Sequence, residues 1–333
     1  FEEDRERGRE HMKFDINVLK IDPAEETERI CKFVVEEVKG AYRRTGVVIG
    51  LSGGVDSAVM VELALRALGR EHVYGLILPE RESNPVSSRY AHMHAEKMGI
   101  ECREVDITPT VESVVSYRVR DEFIKRLVPE YEPGCRYNIT LPTDLLERDS
   151  FSFYNLQVQL PDGTVKKKRL SPDAFRAITS FANIKIRSRM IHLYAEAEKR
   201  NCIVAGTTNR TEFILGDFCK YGDGGTDIEA LAHVYKNQVY QLARYLDVIP
   251  EIIERPPSPD TFSLPVNDQE FFFRIPFDKL DLLLYAWEHE VSAGDAAQVL
   301  GLSIEAVNRA FTDFTTKNRA TVHLRELPHS IAG

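Results

Sequence analysis

A glycine-containing hexapeptide that joins an apolar run to an amphipathic segment constrains this fold more than any other feature of the sequence. Residues 47–51, Val-Val-Ile-Gly-Leu, form a short apolar run, which is typical of a strand buried on both faces. The hexapeptide Ser-Gly-Gly-Val-Asp-Ser follows at 52–57, and the spacing of apolar residues after it predicts a helix over 58–65. A strand, a tight turn and a helix in this order favour a parallel α/β sheet.

The segments on either side of the hexapeptide repeat this alternation. Short apolar runs at 73–78 and 202–206 predict two more strands, and a further strand is predicted at 102–107. Helices are predicted at 87–98 and 173–200. Strands that alternate with helices in this way predict an α/β fold with a doubly wound parallel sheet. The C-terminal part is predicted to be helical. The other predicted helices lie at 23–43, 234–245, 277–289, 293–300 and 304–314.

We expect most of the chain to form one domain that carries an insertion. Residues 1–22 open with an almost wholly polar stretch, so we expect a flexible segment there, followed by a single domain over 23–333. An irregular, proline-containing segment at about 110–172 interrupts the alternation of strands and helices, and we call it the insertion. Within it, Asp162-Gly163 predicts a tight turn and a β-hairpin over 151–170.

Composition argues against several classes of function. The net charge of −9 disfavours a large surface for nucleic acid. No run approaches the roughly 20 apolar residues needed to cross a bilayer, so we expect no membrane partner. The five cysteines include no Cys-x-x-Cys pair, which argues against a zinc ribbon or a redox pair. Scattered cysteines suit a reducing compartment, and we expect a cytoplasmic protein.

The hexapeptide has the chemistry of a pyrophosphate-binding loop. Gly53 and Gly54 let the backbone approach a phosphate closely, and the start of the helix directs free N–H groups towards it. The hydroxyls of Ser52 and Ser57 can add donors. Asp56 would repel a bare phosphate, so we expect it to hold a Mg²⁺ ion that neutralises one. The loop lacks the Gly-Lys-Ser/Thr ending of a Walker A sequence, which argues against γ-phosphoryl transfer.

Several blocks of sequence resemble a known enzyme family. Residues 52–57 match the PP-loop of the ATP pyrophosphatase superfamily, whose members cleave ATP to AMP and pyrophosphate. Three further blocks, at 183–190, 206–212 and 220–227, together resemble ammonia-dependent NAD synthetase, and the segment 235–258 extends the resemblance. The resemblance covers most of the chain outside the insertion. It implies the adenine nucleotide alpha-hydrolase-like form of the α/β fold.

The resemblance also implies where ligands bind. It makes Lys220 and Arg187 catalytic, as cations that hold phosphate and stabilise the departing pyrophosphate, and it pairs Asp56 with Glu212 as Mg²⁺ ligands. The implied ATP contacts are Gly50, Leu51, Ser52, Gly53, Gly54, Val55, Asp56, Ser57, Arg187, Thr207, Thr208 and Lys220. The implied substrate contacts are Asp223, Asp227, Lys236 and Ser258.

Some of these residues have a plainer interpretation that the sequence leaves open. Arg187 could be a surface arginine, and Lys236 could be a solvated lysine on a helix. Glu212 could offset the dipole at a helix N-terminus. Asp223 and Asp227 could fix the turn of the glycine-rich loop, residues 220–227, that contains them.

The family reaction has two steps. The carboxylate of deamido-NAD attacks the α-phosphorus of ATP, and ammonia then displaces AMP from the acyl-adenylate. Such chemistry depends on charge neutralisation and alignment more than on acid–base catalysis. The resemblance implies a homodimer that uses ATP and Mg²⁺. Free ammonia or a separate glutaminase subunit would supply the nitrogen.

The chain departs from the family pattern in two places. The insertion is the first. It is either a solvated loop without a function of its own or a functional element, which would be a lid over the acceptor site or a dock for another protein. The second is the segment 259–264, which follows Pro256-Pro257-Ser258. Both departures fall where the acceptor would be recognised. An enzyme with the same adenylation and amidation chemistry on a different carboxylate is therefore the main alternative.

A DNA-binding regulator is the alternative from another class. Residues 296–303 and Val307 have the spacing of a helix-turn-helix. Acidic residues at Asp295, Glu305 and Asp313 surround them with little basic balance, and a two-helix packing corner gives the same spacing. The sequence therefore favours an ATP-dependent amide ligase.

Overall fold

A computed structural model describes residues 14–148 and 153–331. Its main sheet consists of β1 (Val47–Gly50), β2 (Val73–Ile77), β3 (Glu101–Glu104) and β7 (Ile203–Val204). These strands are all parallel and lie in the order β3-β2-β1-β7. The predicted parallel α/β architecture is therefore confirmed. β3 ends before the predicted 107, because the chain beyond it is joined to the sheet only by single bonds, such as Val105 N–H to the Ile77 carbonyl.

Helices make up most of the rest of the described chain. In chain order they are α1 (Pro23–Val35), α2 (Val55–Leu68), α3 (Pro85–Met98), α4 (Thr108–Val114), α5 (Tyr117–Leu127), α6 (Pro172–Arg200), α7 (Arg210–Leu215), α8 (Lys236–Tyr245), α9 (Pro250–Ile253), α10 (Phe277–Glu288), α11 (Ala293–Leu300), α12 (Ile304–Ala320) and α13 (Val322–Arg325). Shorter turns of other helical types are Glu36–Ala41, Arg70–His72 and Gln269–Phe273.

The central strand β1 is buried on both faces, as its apolar run predicts, whereas the edge strand β3 is largely exposed. Val47 and Ile49 of β1 pack into a core that includes residues of α1, α2 and α8. Val48 points to the opposite face, because side chains alternate along a strand, and there it packs against Met190 and Leu193 of α6. This arrangement presents the carboxyl end of β1 to the edge of the sheet where ligands bind in α/β folds.

The C-terminal helices form a second core that also holds part of the N-terminal segment. Phe14 and Leu19 are buried among α10, α11 and α12. Phe14 and Leu19 thus anchor the described part of the predicted flexible segment, most of whose other residues are exposed, whereas residues 1–13 lie outside the described chain. The apolar face of the helix-turn-helix segment is buried in this core through Ala296, Ala297 and Val307. That burial is what a two-helix packing corner requires.

Within its described residues, the insertion contains helices, strands and a buried core, which the sequence predicted only in part. The predicted hairpin is confirmed as β5 (Asn155–Gln159) and β6 (Val165–Arg169), although its first residues lie in part outside the described chain. A strand that the sequence reading missed, β4 (Arg136–Thr140), pairs antiparallel with β5. Together with α5 and the N-terminal half of α6, this three-stranded sheet encloses a core of its own.

A buried group of charges fastens the insertion to the main sheet. The Lys185 ammonium of α6 lies 2.9 Å from Glu80 Oε1 and 2.6 Å from Glu82 Oε2, in the loop after β2. Arg120 of α5 reaches Glu82 at 2.6 Å. Tyr117 of α5 donates its hydroxyl to Glu80 Oε2 at 2.6 Å. Because charges this deeply buried must be paired, the position of α5 relative to the carboxyl edge of the sheet is fixed.

Within the described residues, no helix has the length and apolar character needed to cross a membrane.

We predict that Lys185→Met lowers the free energy of unfolding by about 3–5 kcal/mol, because it leaves two buried carboxylates without their shared cation. Lys185 is only 2% exposed. Urea denaturation followed by fluorescence measures the change. Lys199→Met, on the exposed end of the same helix, is the matched control. A loss below about 1 kcal/mol at Lys185 would contradict the role assigned to the charge group.

Candidate active site

The hexapeptide after β1 forms a tight loop at the carboxyl edge of the sheet. Gly53 has φ +72°, and a Cβ there would lie 2.2 Å from the Ser87 carbonyl oxygen, so only glycine fits. Gly54 caps α2 without a side-chain hydrogen bond. Ser52 and Ser57 bond to each other through their hydroxyls at 3.1 Å. The amides of the first turn of α2 are thus free of a capping side chain and form an anion-binding surface.

Two predicted metal ligands meet at one buried lysine. Asp56, in the first turn of α2, has Oδ2 2.5 Å from the Lys236 ammonium. Glu212 of α7 has Oε1 3.4 Å from the same ammonium. Lys236 is only 4% exposed, so the reading of it as a solvated lysine is wrong. The carboxylates of Asp56 and Glu212 therefore face one cation position beside the loop.

Asp56, Glu212 and Lys236 form a charged trio, and residues that the sequence analysis missed hold this trio in place. Asn209 caps α7 by a capping box with Glu212, and its Nδ2 also donates to Asp56 Oδ1 at 2.9 Å. Asp281 of α10, which is buried, accepts the Thr211 hydroxyl at 2.7 Å and the Asn237 N–H at 2.6 Å. Asp281 thereby ties the start of α7 to the start of α8. In the sequence, the only signal for Asp281 is one acid within the apolar run of α10.

The electrostatics of the trio follow from burial and charge pairing. Burial raises the pKa of Glu212 well above its ordinary value, and Lys236 only partly opposes the effect. Burial alone would lower the pKa of Lys236, but Asp56 and Glu212 outweigh it and hold the pKa well above its ordinary value. Further acids face the same region. Burial raises the pKa of Asp268 to about 6 and that of Asp217 to about 8.

No group of three or more His, Cys, Asp or Glu side chains is arranged to hold a metal ion within residues 14–148 and 153–331. Asp56 and Glu212 supply two carboxylates at one point, and the lysine ammonium between them shows that the position suits a cation. Mg²⁺ characteristically takes one or two carboxylates and completes its shell with substrate phosphate oxygens and water. The donor set therefore fits a metal that arrives with a polyphosphate.

The two predicted catalytic cations, Arg187 and Lys220, are linked through the backbone of Lys220. The Arg187 side chain is exposed, and its Nε donates to the Lys220 carbonyl at 3.2 Å. The Lys220 ammonium donates to the carbonyls of His323 at 2.6 Å and Glu326 at 3.0 Å, at the end of α13. Arg189, two residues after Arg187, instead donates to the Leu78 carbonyl. The two arginines therefore point in different directions, as residues two apart on a helix do.

Thr207 and Thr208 follow β7 at the same edge of the sheet as the loop. Thr208 is buried, and both its N–H and its hydroxyl donate to Glu229, at 3.1 and 3.3 Å. Sequence reasoning missed Glu229, although one glutamate within the run Ile228 to Leu231 was a signal. Burial raises the pKa of Glu229 to about 7, against the hydrogen bonds from Thr226 and Thr208.

The predicted substrate contacts lie in three places, one of which is the position of Lys236 between Asp56 and Glu212. Asp223 accepts the Cys219 N–H at 2.7 Å and so closes a turn of the glycine-rich loop. Asp227 accepts the Val204 N–H at 2.7 Å and the Tyr194 hydroxyl at 3.2 Å, which fixes the end of that loop to the sheet. Ser258 is exposed and lies elsewhere, at a cavity of about 160 Å³.

The two departures from the family pattern meet at this cavity. Its lining comes from residues 82–85 after β2, from Arg136 on β4 and from 258–266. The Tyr137 N–H donates to Ser263 Oγ at 3.0 Å, and the Leu264 N–H donates to the Tyr137 carbonyl at 2.9 Å. The insertion and the altered segment are therefore one packed unit and not two independent changes.

We predict that the wild-type free energy of unfolding falls as pH rises from 5 to 8, in part because of Asp217. The pKa of Asp217 is raised to about 8 in the folded state, against roughly 4 in the unfolded state. The folded state therefore binds this proton more tightly. The resulting stabilisation is complete below about pH 4 and is lost as the pH rises towards 8. Asp217→Asn should reduce the fall by about 1 kcal/mol or more.

Chemical denaturation at each pH measures this difference, with Asp278→Asn, at an exposed position of α10, as the control. Equal pH dependence in wild type and Asp217→Asn would show that Asp217 is not held in the protonated form.

Comparisons with known proteins agree with this geometry. Residues 26–131 and 150–328 match the family described as NAD synthase. The NH(3)-dependent NAD(+) synthetase of Rhizobium meliloti is 39% identical over 320 residues, which is 96% of this chain and 95% of that protein. The enzyme of the same name from Thermotoga maritima is 36% identical over 268 residues, 80% of this chain and 89% of that protein.

Solved structures share the fold. The NMN synthetase of Francisella tularensis has a TM-score of 0.64 at 22% identity, over 93% of this chain and 99% of that one. The NH3-dependent NAD synthetase of Campylobacter jejuni has a TM-score of 0.60 at 23% identity, over 93% of this chain and 100% of that one. With a family match across both halves of the chain and full-length relatives near 40% identity, this chain belongs to the NAD synthase family.

Proposed function

We propose that this protein is an ammonia-dependent NAD synthetase, which adenylates the nicotinate carboxylate of deamido-NAD with ATP and then amidates it. The observation that carries the proposal is the convergence of Asp56 and Glu212 on one cation position beside an open phosphate-binding loop. Relatives that match nearly the whole chain bear the name NH(3)-dependent NAD(+) synthetase. Nothing in the fold or the comparisons favours a different acceptor or a DNA-binding role.

ATP would bind across the carboxyl edge of the sheet. The free amides of the first turn of α2 support a phosphate position there. Thr207 and Thr208 lie at the end of β7, beside β1. Thr207 supports a further contact to the nucleotide, whereas the N–H and hydroxyl of Thr208 are bonded to Glu229, so Thr208 would act mainly by holding this turn in place. The proposed contacts are Gly50, Leu51, Ser52, Gly53, Gly54, Val55, Asp56, Ser57, Arg187, Thr207, Thr208 and Lys220.

Asp56 and Glu212 would hold Mg²⁺ together with phosphate oxygens of ATP. The ion would neutralise charge on the polyphosphate and make pyrophosphate a better leaving group. Lys236 supports this assignment, because its ammonium already balances the same two carboxylates at 2.5 and 3.4 Å. We propose that Lys236 turns towards phosphate or dinucleotide when the substrates bind.

The reaction conserves atoms in two displacements. A carboxylate oxygen of deamido-NAD forms a bond to the α-phosphorus, and the bond from that phosphorus to the bridging oxygen of pyrophosphate breaks. Ammonia then attacks the acyl carbon, loses a proton, and displaces AMP, which keeps the carboxylate oxygen. Arg187 and Lys220 would stabilise the negative charge of the departing pyrophosphate. Lys220 must first leave the carbonyls of His323 and Glu326.

The remaining assignments concern the acceptor and the assembly. Asp223, Asp227 and Ser258 are proposed to contact or position the substrate, and the bonds of Asp223 and Asp227 within their loop favour a positioning role. We also propose a homodimer, which light scattering would test. Ammonia, free or from a separate glutaminase subunit, is the proposed nitrogen source, in keeping with the names of the full-length relatives.

We predict that the purified protein with Mg-ATP, ammonium and deamido-NAD forms AMP, pyrophosphate and NAD in equal amounts, because each carboxylate activated consumes one ATP. Ion-exchange chromatography of the nucleotides measures all three. ADP in place of AMP would overturn the adenylation mechanism. AMP formed only with a different carboxylate would support the adenylation mechanism and would show that the acceptor is not deamido-NAD.

We predict that Asp56→Asn lowers kcat/KM by roughly 100-fold or more, since it weakens both the cation position and its charge balance. Excess chelator should abolish wild-type turnover, and added Mg²⁺ should restore it. The exposed Asp278→Asn is the matched control. Full activity in Asp56→Asn, or in chelator, would rule out the proposed metal site.

A further inference from the structure

We propose that Glu229 is a positioning residue that couples the Thr207-Thr208 turn to the glycine-rich loop carrying Lys220. The inference rests on the proposed function, because it concerns how the two segments that would hold ATP are kept in register. Glu229 has no place among the predicted site residues. Its carboxylate nevertheless lies between the two segments and bonds to both.

One side of the link is the turn after β7. Glu229 Oε2 accepts the Thr208 N–H at 3.1 Å, and Oε1 accepts the Thr208 hydroxyl at 3.3 Å. Gly206, at the start of the turn, packs directly against the carboxylate, because a Cβ there would lie 2.2 Å from Oε1. The turn therefore closes around the Glu229 side chain, next to a backbone bond from the Gly206 N–H to the Ile228 carbonyl at 2.8 Å.

The other side of the link is the glycine-rich loop. Thr226 donates its hydroxyl to Glu229 Oε1 at 2.7 Å. The same end of the loop is fixed to the sheet through Asp227 and through the Tyr194 hydroxyl, which donates to the Gly225 carbonyl at 2.9 Å. Towards Lys220, the loop depends on short turns such as Gly222 N–H to the Cys219 carbonyl. Glu229 is thus the side chain that joins this loop to the nucleotide turn.

The chemistry of the carboxylate suits positioning. Both oxygens are occupied by donors from the two segments, so the group does not need to touch the reacting atoms. Glu229 is half-buried, and Asp223 is the acid that adds to the effect of burial on its pKa. A buried acceptor that loses its donors, or buried donors that lose their acceptor, destabilise the arrangement. A loop displaced by about 1 Å can cost roughly 100-fold in rate.

The test compares substitutions that keep or remove the hydrogen bonds. Glu229→Gln can keep them all, since its carbonyl accepts the Thr208 N–H and its amide donates to the two hydroxyls. Glu229→Met has similar length and keeps none. We expect Glu229→Met to lower kcat at least tenfold with the KM for ATP changed less than threefold. Glu229→Gln should stay within threefold of wild type.

Thr226→Val removes only the bond on the loop side, and it should lower kcat in the same direction. The double variant Glu229→Met with Thr226→Val should be no worse than Glu229→Met alone, because both changes break one link. Additive losses would overturn the proposal. So would a Glu229→Gln variant as impaired as Glu229→Met, or a change confined to the KM for ATP. Glu251→Met, at an exposed position, is the control.

Amide hydrogen exchange separates this inference from the proposed function. Peptides within 217–227 should exchange faster in Glu229→Met than in wild type or Glu229→Gln, whatever reaction the protein catalyses. If the wild-type protein makes no AMP, the proposed function is wrong, but the predicted difference in amide exchange between the variants still stands. Unchanged exchange in Glu229→Met would sink the coupling even if the enzyme is active.

Discussion

The charged trio of Asp56, Lys236 and Glu212 is the interaction on which the rest of the site depends, because it joins three separate parts of the chain. Each member comes from a different part of the chain, namely the first turn of α2, the start of α8 and the first turn of α7. Three charges this close to one another and largely out of water are stable only when each has its partners. The group therefore fixes how the PP-loop, the end of β7 and the C-terminal helices lie against one another.

The same group is also connected to the C-terminal helices. Asp281 on α10 holds both Thr211 and the Asn237 amide, so the packing of α10 sets the spacing between Glu212 and Lys236. Phe273, Leu280 and neighbouring residues bury α10 in the second core. A sheet that offers only loop amides could bind phosphate. Under the proposed function, α7 and α8 would add Glu212 and Lys236 beside that phosphate.

The insertion and the segment 258–266 give the acceptor side of the site its own support. They share a core in which Phe262 and Val266 pack against the sheet of the insertion. The buried pairs of Lys185 with Glu80 and Glu82 then connect that core to the loop after β2. The insertion therefore supports the segment 258–266 through a shared core.

Local sequence predicted the parts of the structure that local physics decides. The strand, glycine loop and helix around Gly53 follow from apolar periodicity and from the positive φ that only glycine adopts freely. The hairpin at Asp162-Gly163 follows from turn chemistry. β4 was missed because it gains its burial from segments distant in sequence, such as the one containing Ser263.

The site residues also divide into those that the sequence predicted and those that only the tertiary fold reveals. The pairing of Asp56 with Glu212 was implied by the family resemblance, but the position of Lys236 between them depends on tertiary packing that spans 180 residues of sequence. Glu229 and Asp281 carry no motif, and their roles come from the donors that the fold brings to them. A carboxylate within an apolar run is the one sequence signal that both share.

Isotope transfer tests the adenylation step most directly. Deamido-NAD labelled with ¹⁸O at both oxygens of its nicotinate carboxylate, turned over once with Mg-ATP and ammonium, can be followed by mass spectrometry of the products. We predict that AMP carries one ¹⁸O atom and that the NAD amide keeps the other. Unlabelled AMP, or label in inorganic phosphate, would contradict attack of the carboxylate on the α-phosphorus.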